Sequence, residues 1–255
     1  MYYYIFDIFT SQKKHEKQLQ KIEGLITELG INGKIYKLNV LKNLEDIIEE
    51  AIDNGIKNIV AVGNDQTVSK VANLLINKKI VMGIIPLGEP NVLAGALGIN
   101  SYTEACKIIS ARKVAKLDVG KVNGQYFLLS VESNDKNIIF DFKNYNINPL
   151  NNNRIMGVYN INIDQLDYKS NPCDGLMEVI FAPNENSWWQ KLTQKNQGAE
   201  QTGISIFPTK KLILKHKKKP IQINIDRQRV LKTPLEIEVL PKNLSVIVGR
   251  DRIFN

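Results

Sequence analysis

Two short turns carry residue types and spacing suited to holding a phosphate: Gly63-Asn64-Asp65-Gln66-Thr67 and Pro86-Leu87-Gly88-Glu89-Pro90-Asn91. Each follows a short apolar run and precedes a helical pattern, so backbone N–H groups and the positive end of a helix dipole are offered to an anion. In a parallel sheet, ligands collect at the carboxyl ends of strands, which is where both turns fall. The same spacing also suits plain strand-to-helix joins, with Gly63 permitting the turn, Asp65 or Thr67 capping the helix and Gly88 relieving the second turn. Asp118 and Asp174 have the chemistry of general acids or metal ligands, and equally of turn and cap residues. His15 and His216 are too isolated for a catalytic dyad or a metal pair and are expected at the surface. Cys106 and Cys173 give no disulfide framework and are expected as free thiols.

The elements that must position these turns follow from periodicity. Residues 2–9 form a β-rich apolar run, after which Leu19, Ile22, Ile26 and Leu29 recur at helical spacing until Gly30. Residues 34–40 alternate as a second strand. Ile47, Ile48, Ala51 and Ile52 face one way from a helix stopped at Gly55, and residues 58–62 are a buried strand. Val68, Val71, Ala72 and Leu75 mark the next helix, residues 80–85 the next strand, and Ser101 with Glu104 a capping box that opens a helix to about Ala111. Repeated β-α-β of this kind makes a parallel sheet wrapped by helices. From Val114 the pattern becomes short strands, at 116–122, 125–131, 138–142, 155–161, 177–181, 204–207, 212–214, 221–225, 235–239 and 244–248, which implies an antiparallel second domain. Asn123-Gly124 is a two-residue hairpin signal, and the asparagine-rich segment 144–153 a loop.

At 255 residues and 43% hydrophobic, the chain can bury a large core as one long domain or two short ones, which excludes a disordered or collagen-like chain. The longest apolar run, residues 80–87, contains Gly83 and Pro86 and falls short of a membrane span. The first ten residues lack a basic flank and a cleavage site, so no signal peptide is expected and a cytoplasmic location is. The net charge of +8 lies wholly in residues 186–255, which hold 14 basic against 5 acidic residues. Lys210, Lys211, Lys215, His216, Lys217, Lys218 and Lys219 cluster between two strand-like runs and read as a hairpin turn. Such a cluster attracts an anionic lipid surface or nucleic acid, or serves as a solvated edge that resists aggregation. No aromatic residue interleaves with the lysines and arginine is scarce, so no nucleic acid partner is expected. Trp188 and Trp189 are adjacent, and in a strand one would be exposed and suited to a lipid interface.

The pair of turns is similar to a known family. Together with Leu93-Ala94-Gly95-Ala96-Leu97-Gly98-Ile99, the passage Leu117-Asp118-Val119-Gly120-Lys121-Val122-Asn123-Gly124, the strand entry Asp174-Gly175-Leu176, and Asp226-Arg227-Gln228 followed by Thr233-Pro234, they make the chain resemble the diacylglycerol kinase catalytic family. These are lipid kinases related to sphingosine kinases and more distantly to NAD kinases. The resemblance implies an α/β N-terminal domain over residues 1–112, a parallel sheet with flanking helices, and a C-terminal antiparallel β-sandwich over residues 113–255, with a nucleotide cleft between them. It implies ATP-dependent phosphoryl transfer to a lipid hydroxyl, with Mg2+ offsetting phosphate charge. Asp226 and Asp65 would be the catalytic residues, Asp226 accepting the hydroxyl proton. Gly63, Asn64, Asp65, Gln66 and Thr67 would surround the nucleotide, with Gly88 and Asn91 contacting it from the second turn. Asp174 stands where the family keeps a structural magnesium site.

Departures fall at the chemical positions. The family's Gly-Gly-Asp-Gly-Thr becomes Gly63-Asn64-Asp65-Gln66-Thr67, its Thr-Gly-Asn-Asp becomes Glu89-Pro90-Asn91-Val92, and its closing Asp-Gly-Glu loses a carboxylate to Gln228. Pro90 removes a donor, Glu89 sets a negative charge beside a negative ligand, and Gln66 is a poor residue for positive φ. These losses support the alternative of a catalytically inactive member acting as a nucleotide-, lipid- or protein-binding module. An NAD-kinase-like enzyme is a third reading, against which stand the second turn, the Asp174 entry and the ending at residues 226–234. A homo-oligomer and peripheral attachment to a membrane through residues 210–219 stay open.

Overall fold

A computed structural model describes residues 1–39, 42–149, 154–163, 168–183 and 204–254. The chain divides into two compact units, Met1–Asp118 with Pro241–Asn255, and Val119–Leu240.

The first unit is built on parallel strands β1 (Tyr2–Phe6), β2 (Gly33–Lys37), β3 (Asn58–Gly63) and β4 (Val81–Pro86), in the order β2-β1-β3-β4. Its helices are α1 (Glu16–Glu28), α2 (Leu44–Asp53), α3 (Asp65–Leu75), α4 (Val92–Ala96) and α5 (Tyr102–Ala111). Every residue of β3 is buried, as a central parallel strand covered on both faces requires. The helical stripes read from the sequence are the buried faces: Leu19, Ile22 and Ile26 of α1, Ile47, Ile48 and Ala51 of α2, Val68, Val71, Ala72 and Leu75 of α3. Gly30 and Gly55 take positive φ where α1 and α2 stop. Ser101 caps α5 by accepting from the Glu104 N–H at 3.2 Å, while Glu104 reaches back to the N–H of Asn100. The first strand is shorter than its apolar run, because Asp7 accepts from the Phe9 N–H and turns the chain into a short 3-10 helix at Ile8–Ser11.

The second unit is antiparallel. Its strands are β5 (Val114–Val122), β6 (Gln125–Phe127), β7 (Ser130–Ser133), β8 (Ile138–Asp141), β9 (Asn146–Ile147), β10 (Arg154–Tyr159), β11 (Met177–Pro183), β12 (Ser205–Thr209), β13 (Lys211–His216), β14 (Gln222–Ile225), β15 (Arg229–Lys232) and β16 (Leu235–Ile247). Among the described residues, one sheet runs β12-β11-β10-β7-β14-β15, and β13 lies between β8 and the first half of β16 in the other. Phe140, Leu212 and Leu214 of the second meet Val131, Met156 and Val179 of the first in one core. The chain passes between units in β5 and β16; the end of β16 pairs with β4 in parallel through Ser245 and Val246. The Asn123-Gly124 turn takes positive φ at both residues, as a two-residue hairpin demands, and joins Val122 to Gln125.

Three expectations are corrected here. Residues 210–219 are not a hairpin turn, because β13 and β14 belong to different sheets and the lysine-rich bend is a crossing between them. His216 is not at the surface: its side chain is 4% exposed, with Nδ1 accepting from the N–H groups of Lys218 and Lys219. The last two strand runs are one strand, β16. Trp188 and Trp189 lie outside the described residues.

Candidate functional site

The first candidate turn leaves β3 at Gly63. Asn64 is the N-cap of α3, and its Oδ1 accepts from the N–H of Gln66 at 3.1 Å and of Thr67 at 3.4 Å. The cap is therefore Asn64, not Asp65 or Thr67, and its φ of −89° is extended backbone. Gln66 lies in the first helical turn, so neither replacement of a family glycine meets a left-handed position. Gly63 has no room to be otherwise, since a Cβ there would lie 2.7 Å from Thr67 Cβ.

Asp65 is buried and does not cap its own helix; it binds the second turn. Its N–H donates to Pro90 O at 2.8 Å, and its carboxylate accepts from the N–H of Val92 at 2.8 Å and of Leu93 at 3.0 Å, capping α4. Leu87 N–H donates to Gly63 O, and Asn64 Nδ2 to Glu89 O. The two turns, at the carboxyl ends of neighbouring strands, are thus one hydrogen-bonded body. Pro90 has no N–H to give, yet its carbonyl is a partner. Burial pushes the Asp65 carboxyl above the usual range, and the Val92 and Leu93 N–H groups pull it back. In the second turn Gly88 has φ +74°, with the Phe9 ring 2.8 Å from where a Cβ would stand, and Asn91 Nδ2 donates to Gly88 O.

Behind the turns, sequence reasoning missed Asp7. The Thr67 hydroxyl donates to Asp7 Oδ2 at 2.5 Å, so the threonine of the first turn is tied to the end of β1. A lone carboxylate closing an apolar strand was the available signal. Phe9 meets His15 edge-on at 5.6 Å. His15 is 8% exposed, with Nδ1 2.7 Å from Gln18 Oε1, which corrects its expected surface position. Asp118 is buried too and holds the Lys242 N–H at 2.7 Å, a turn role.

This arrangement can be compared with known proteins. Residues 2–122 match the family model of the diacylglycerol kinase catalytic domain. This stretch of the chain belongs to that family. A protein of Enterobacter sp. (strain 638) named "Probable lipid kinase YegS-like" is 36% identical over 106 residues, covering 38% of this chain and 36% of that one. The diacylglycerol kinase of Bacillus subtilis (strain 168) is 31% identical over 121 residues, covering 46% and 39%. The matches thus span well under half the length of these curated relatives. A crystal structure of a diacylglycerol kinase from Bacillus anthracis str. Sterne superposes with a TM-score of 0.74 at 18% identity, covering 98% of this chain and 97% of that one. At that identity the likeness speaks to fold alone, and it extends across both units.

The remaining candidate residues singled out in the sequence, Asp174 and Asp226, lie in the second unit. Asp226 is 3% exposed, with φ +52°. Its Oδ1 accepts from the N–H of Leu128, Leu129 and Ser130 at 3.1, 2.7 and 3.2 Å, and its Oδ2 from Leu128 at 3.0 Å with Arg229 at 3.8 Å. Those donors interrupt the run read as strand 125–131 and split it into β6 and β7. Burial raises the Asp226 carboxyl, opposed by the Leu128 and Leu129 N–H groups and by the Arg229 charge.

Asp174 is exposed and accepts from the Leu176 N–H at 2.9 Å. Its sequence neighbour Glu178, on β11, is 3% exposed, and burial lifts its carboxyl to about 7 against pulls from Tyr168 and Ser170. Among the described residues no three His, Cys, Asp or Glu side chains gather as a metal cage. Because Glu178 binds its proton more tightly folded than unfolded, stability should be full below about pH 4.5 and fall as pH rises through about 7, by on the order of 3 kcal/mol. Urea unfolding of Glu178→Gln should lack that fall; an unchanged pH slope would assign it elsewhere.

Proposed function

We propose that the chain is a diacylglycerol/lipid kinase family phosphotransferase, moving the γ-phosphoryl of ATP to a lipid hydroxyl. The observation that carries this reading is the fused pair of turns at the carboxyl ends of adjacent parallel strands β3 and β4, held by the Asp65 carboxylate. In this reading the backbone around Gly63, Asn64, Gln66 and Thr67 faces the nucleotide phosphates, Gly88 and Asn91 shape the second wall, and Asp65 keeps the walls in register. Asp226 accepts the hydroxyl proton through Oδ2, which holds one N–H against three on Oδ1. Magnesium bound with the nucleotide would offset phosphate charge; Asp174 is suggested for a separate, structural magnesium, and among the described residues no three His, Cys, Asp or Glu side chains gather around it.

A second reading, a non-catalytic nucleotide-binding member, is favoured by one observation: Asn64 Oδ1 already takes the N–H groups of Gln66 and Thr67 that would hold phosphate. Calorimetry with ATP and Mg2+, followed by transfer of labelled γ-phosphoryl to diacylglycerol in mixed micelles, separates the two. Micromolar binding with transfer supports the kinase. Binding without transfer to diacylglycerol supports the second reading, and labelled NADP formed when NAD is supplied as the acceptor would overturn both.

A further inference from the structure

The lysine-rich bend between β13 and β14 is more ordered than a solvated edge requires. Lys217, Lys218 and Lys219 are consecutive and exposed, and among the described residues none has an ion-pair partner, whereas Lys215 is paired with Asp141 at 2.6 Å and Lys211 faces Glu238 at 4.0 Å. Three like charges on consecutive residues repel one another, and the backbone of the bend is nonetheless pinned by hydrogen bonds. The buried His216 Nδ1 accepts from the N–H of both Lys218 and Lys219 at 3.2 Å, and Lys217 N–H donates to Asn137 O at 3.0 Å. With Nδ1 an acceptor, the His216 proton sits on Nε2, which faces Asp135 Oδ2 at 3.4 Å. Asp135 Oδ1 is itself held by the N–H and the side-chain amide of Asn137 at 2.8 and 3.0 Å, and none of the three lysines forms an ion pair with Asp135.

We propose that this bend is a docking surface for a membrane bearing anionic phospholipids, with His216 as the residue that positions it. The geometry separates this partner from the others that lysine attracts. A single free phosphate ion is best held by converging backbone N–H groups, and those of Lys218 and Lys219 are spent on His216. Nucleic acid binding draws on arginine forks and stacked aromatic rings, and residues 208–220 hold neither. A plane of headgroups needs only adjacent, outward point charges on a fixed bend. At the strength expected of a lysine near such a surface, three together give about a hundredfold in affinity. The surface lies within the second unit and its binding requires no phosphoryl transfer, so it stands or falls apart from the kinase reading.

Co-sedimentation of the full chain with vesicles of phosphatidylcholine, alone or doped with phosphatidylglycerol, tests it without nucleotide. Binding should need the anionic lipid, fall steeply between about 0.1 M and about 1 M salt, and drop about a hundredfold when Lys217, Lys218 and Lys219 are all changed to alanine. Changing the exposed Lys13, Lys14 and Lys17 instead removes the same charge and should leave binding intact. His216→Ala should weaken binding several-fold while His216→Asn, whose amide oxygen can take the place of Nδ1, restores it; circular dichroism checks that each variant folds. Equal binding by the bend variant, equal loss in the control variant, or equal binding to neutral vesicles would each overturn the proposal. So would single-stranded RNA binding that depends on the bend while vesicle binding does not.

Discussion

Replacing Asp226 by alanine should cost the second unit about 4 kcal/mol, read as a large drop in the urea midpoint. The change strips the acceptor from three buried N–H groups, those of Leu128, Leu129 and Ser130, at about 1–3 kcal/mol for each donor left unmet. It also places alanine at a φ of +52°, where aspartate is better tolerated, and leaves Arg229 without its facing carboxylate. Asp226→Asn keeps one acceptor oxygen and loses only the charge and the Leu128 contact to Oδ2, so a loss of about 2 kcal/mol is expected. The ordering, with alanine well below asparagine, is the test of the turn-holding role; equal midpoints for alanine and parent would remove it. The asparagine variant then isolates chemistry. A folded Asp226→Asn protein that binds ATP without turnover supports the base assignment, and one that turns over normally ends it.

What the sequence makes legible here depends on how local the cause is. Strands β3 and β4 are buried on both faces, so their composition alone marks them, and the stripes of α1, α2 and α3 are set by contact with that sheet. Asn123-Gly124 fixes its own turn. The candidate site is legible as two turns and no further, because which side chain caps which helix is decided by distant partners. Asp65 looks like the cap of its own helix, and its acceptors' donors stand 27 and 28 residues downstream. The split between β6 and β7 is caused by a carboxylate 96 to 98 residues away, with nothing in Leu128 or Leu129 to announce it. The bend at Lys217 reads as a hairpin, since a short polar link between two apolar runs cannot reveal that the runs join different sheets. His15 and His216 look isolated along the chain, but each is packed and hydrogen-bonded through Nδ1.

Restoring the family's glycines, Asn64→Gly with Gln66→Gly, should tighten ATP binding about tenfold at little cost in stability. Asn64 Oδ1 competes with phosphate for the N–H groups of Gln66 and Thr67, and a hydrogen bond to a charged acceptor is worth about 1 kcal/mol more than one to a neutral amide oxygen. Glycine at an N-cap costs about 0.3 kcal/mol relative to asparagine, and glycine within the first helical turn about 0.7 kcal/mol. Losing the Asn64 Nδ2 contact to Glu89 O leaves the turns joined through Asp65. Asp65→Ala in either background should abolish binding, because α4 then opens on unmet Val92 and Leu93 N–H groups and the second turn loses its register. Calorimetry on the parent and the three variants reads the coupling. A gain that appears only with Asp65 present means that the turns form one phosphate site, closed in this chain by its own asparagine. No gain would mean that phosphate is not held by these N–H groups, and the non-catalytic reading would then lose the Asn64 observation that favours it.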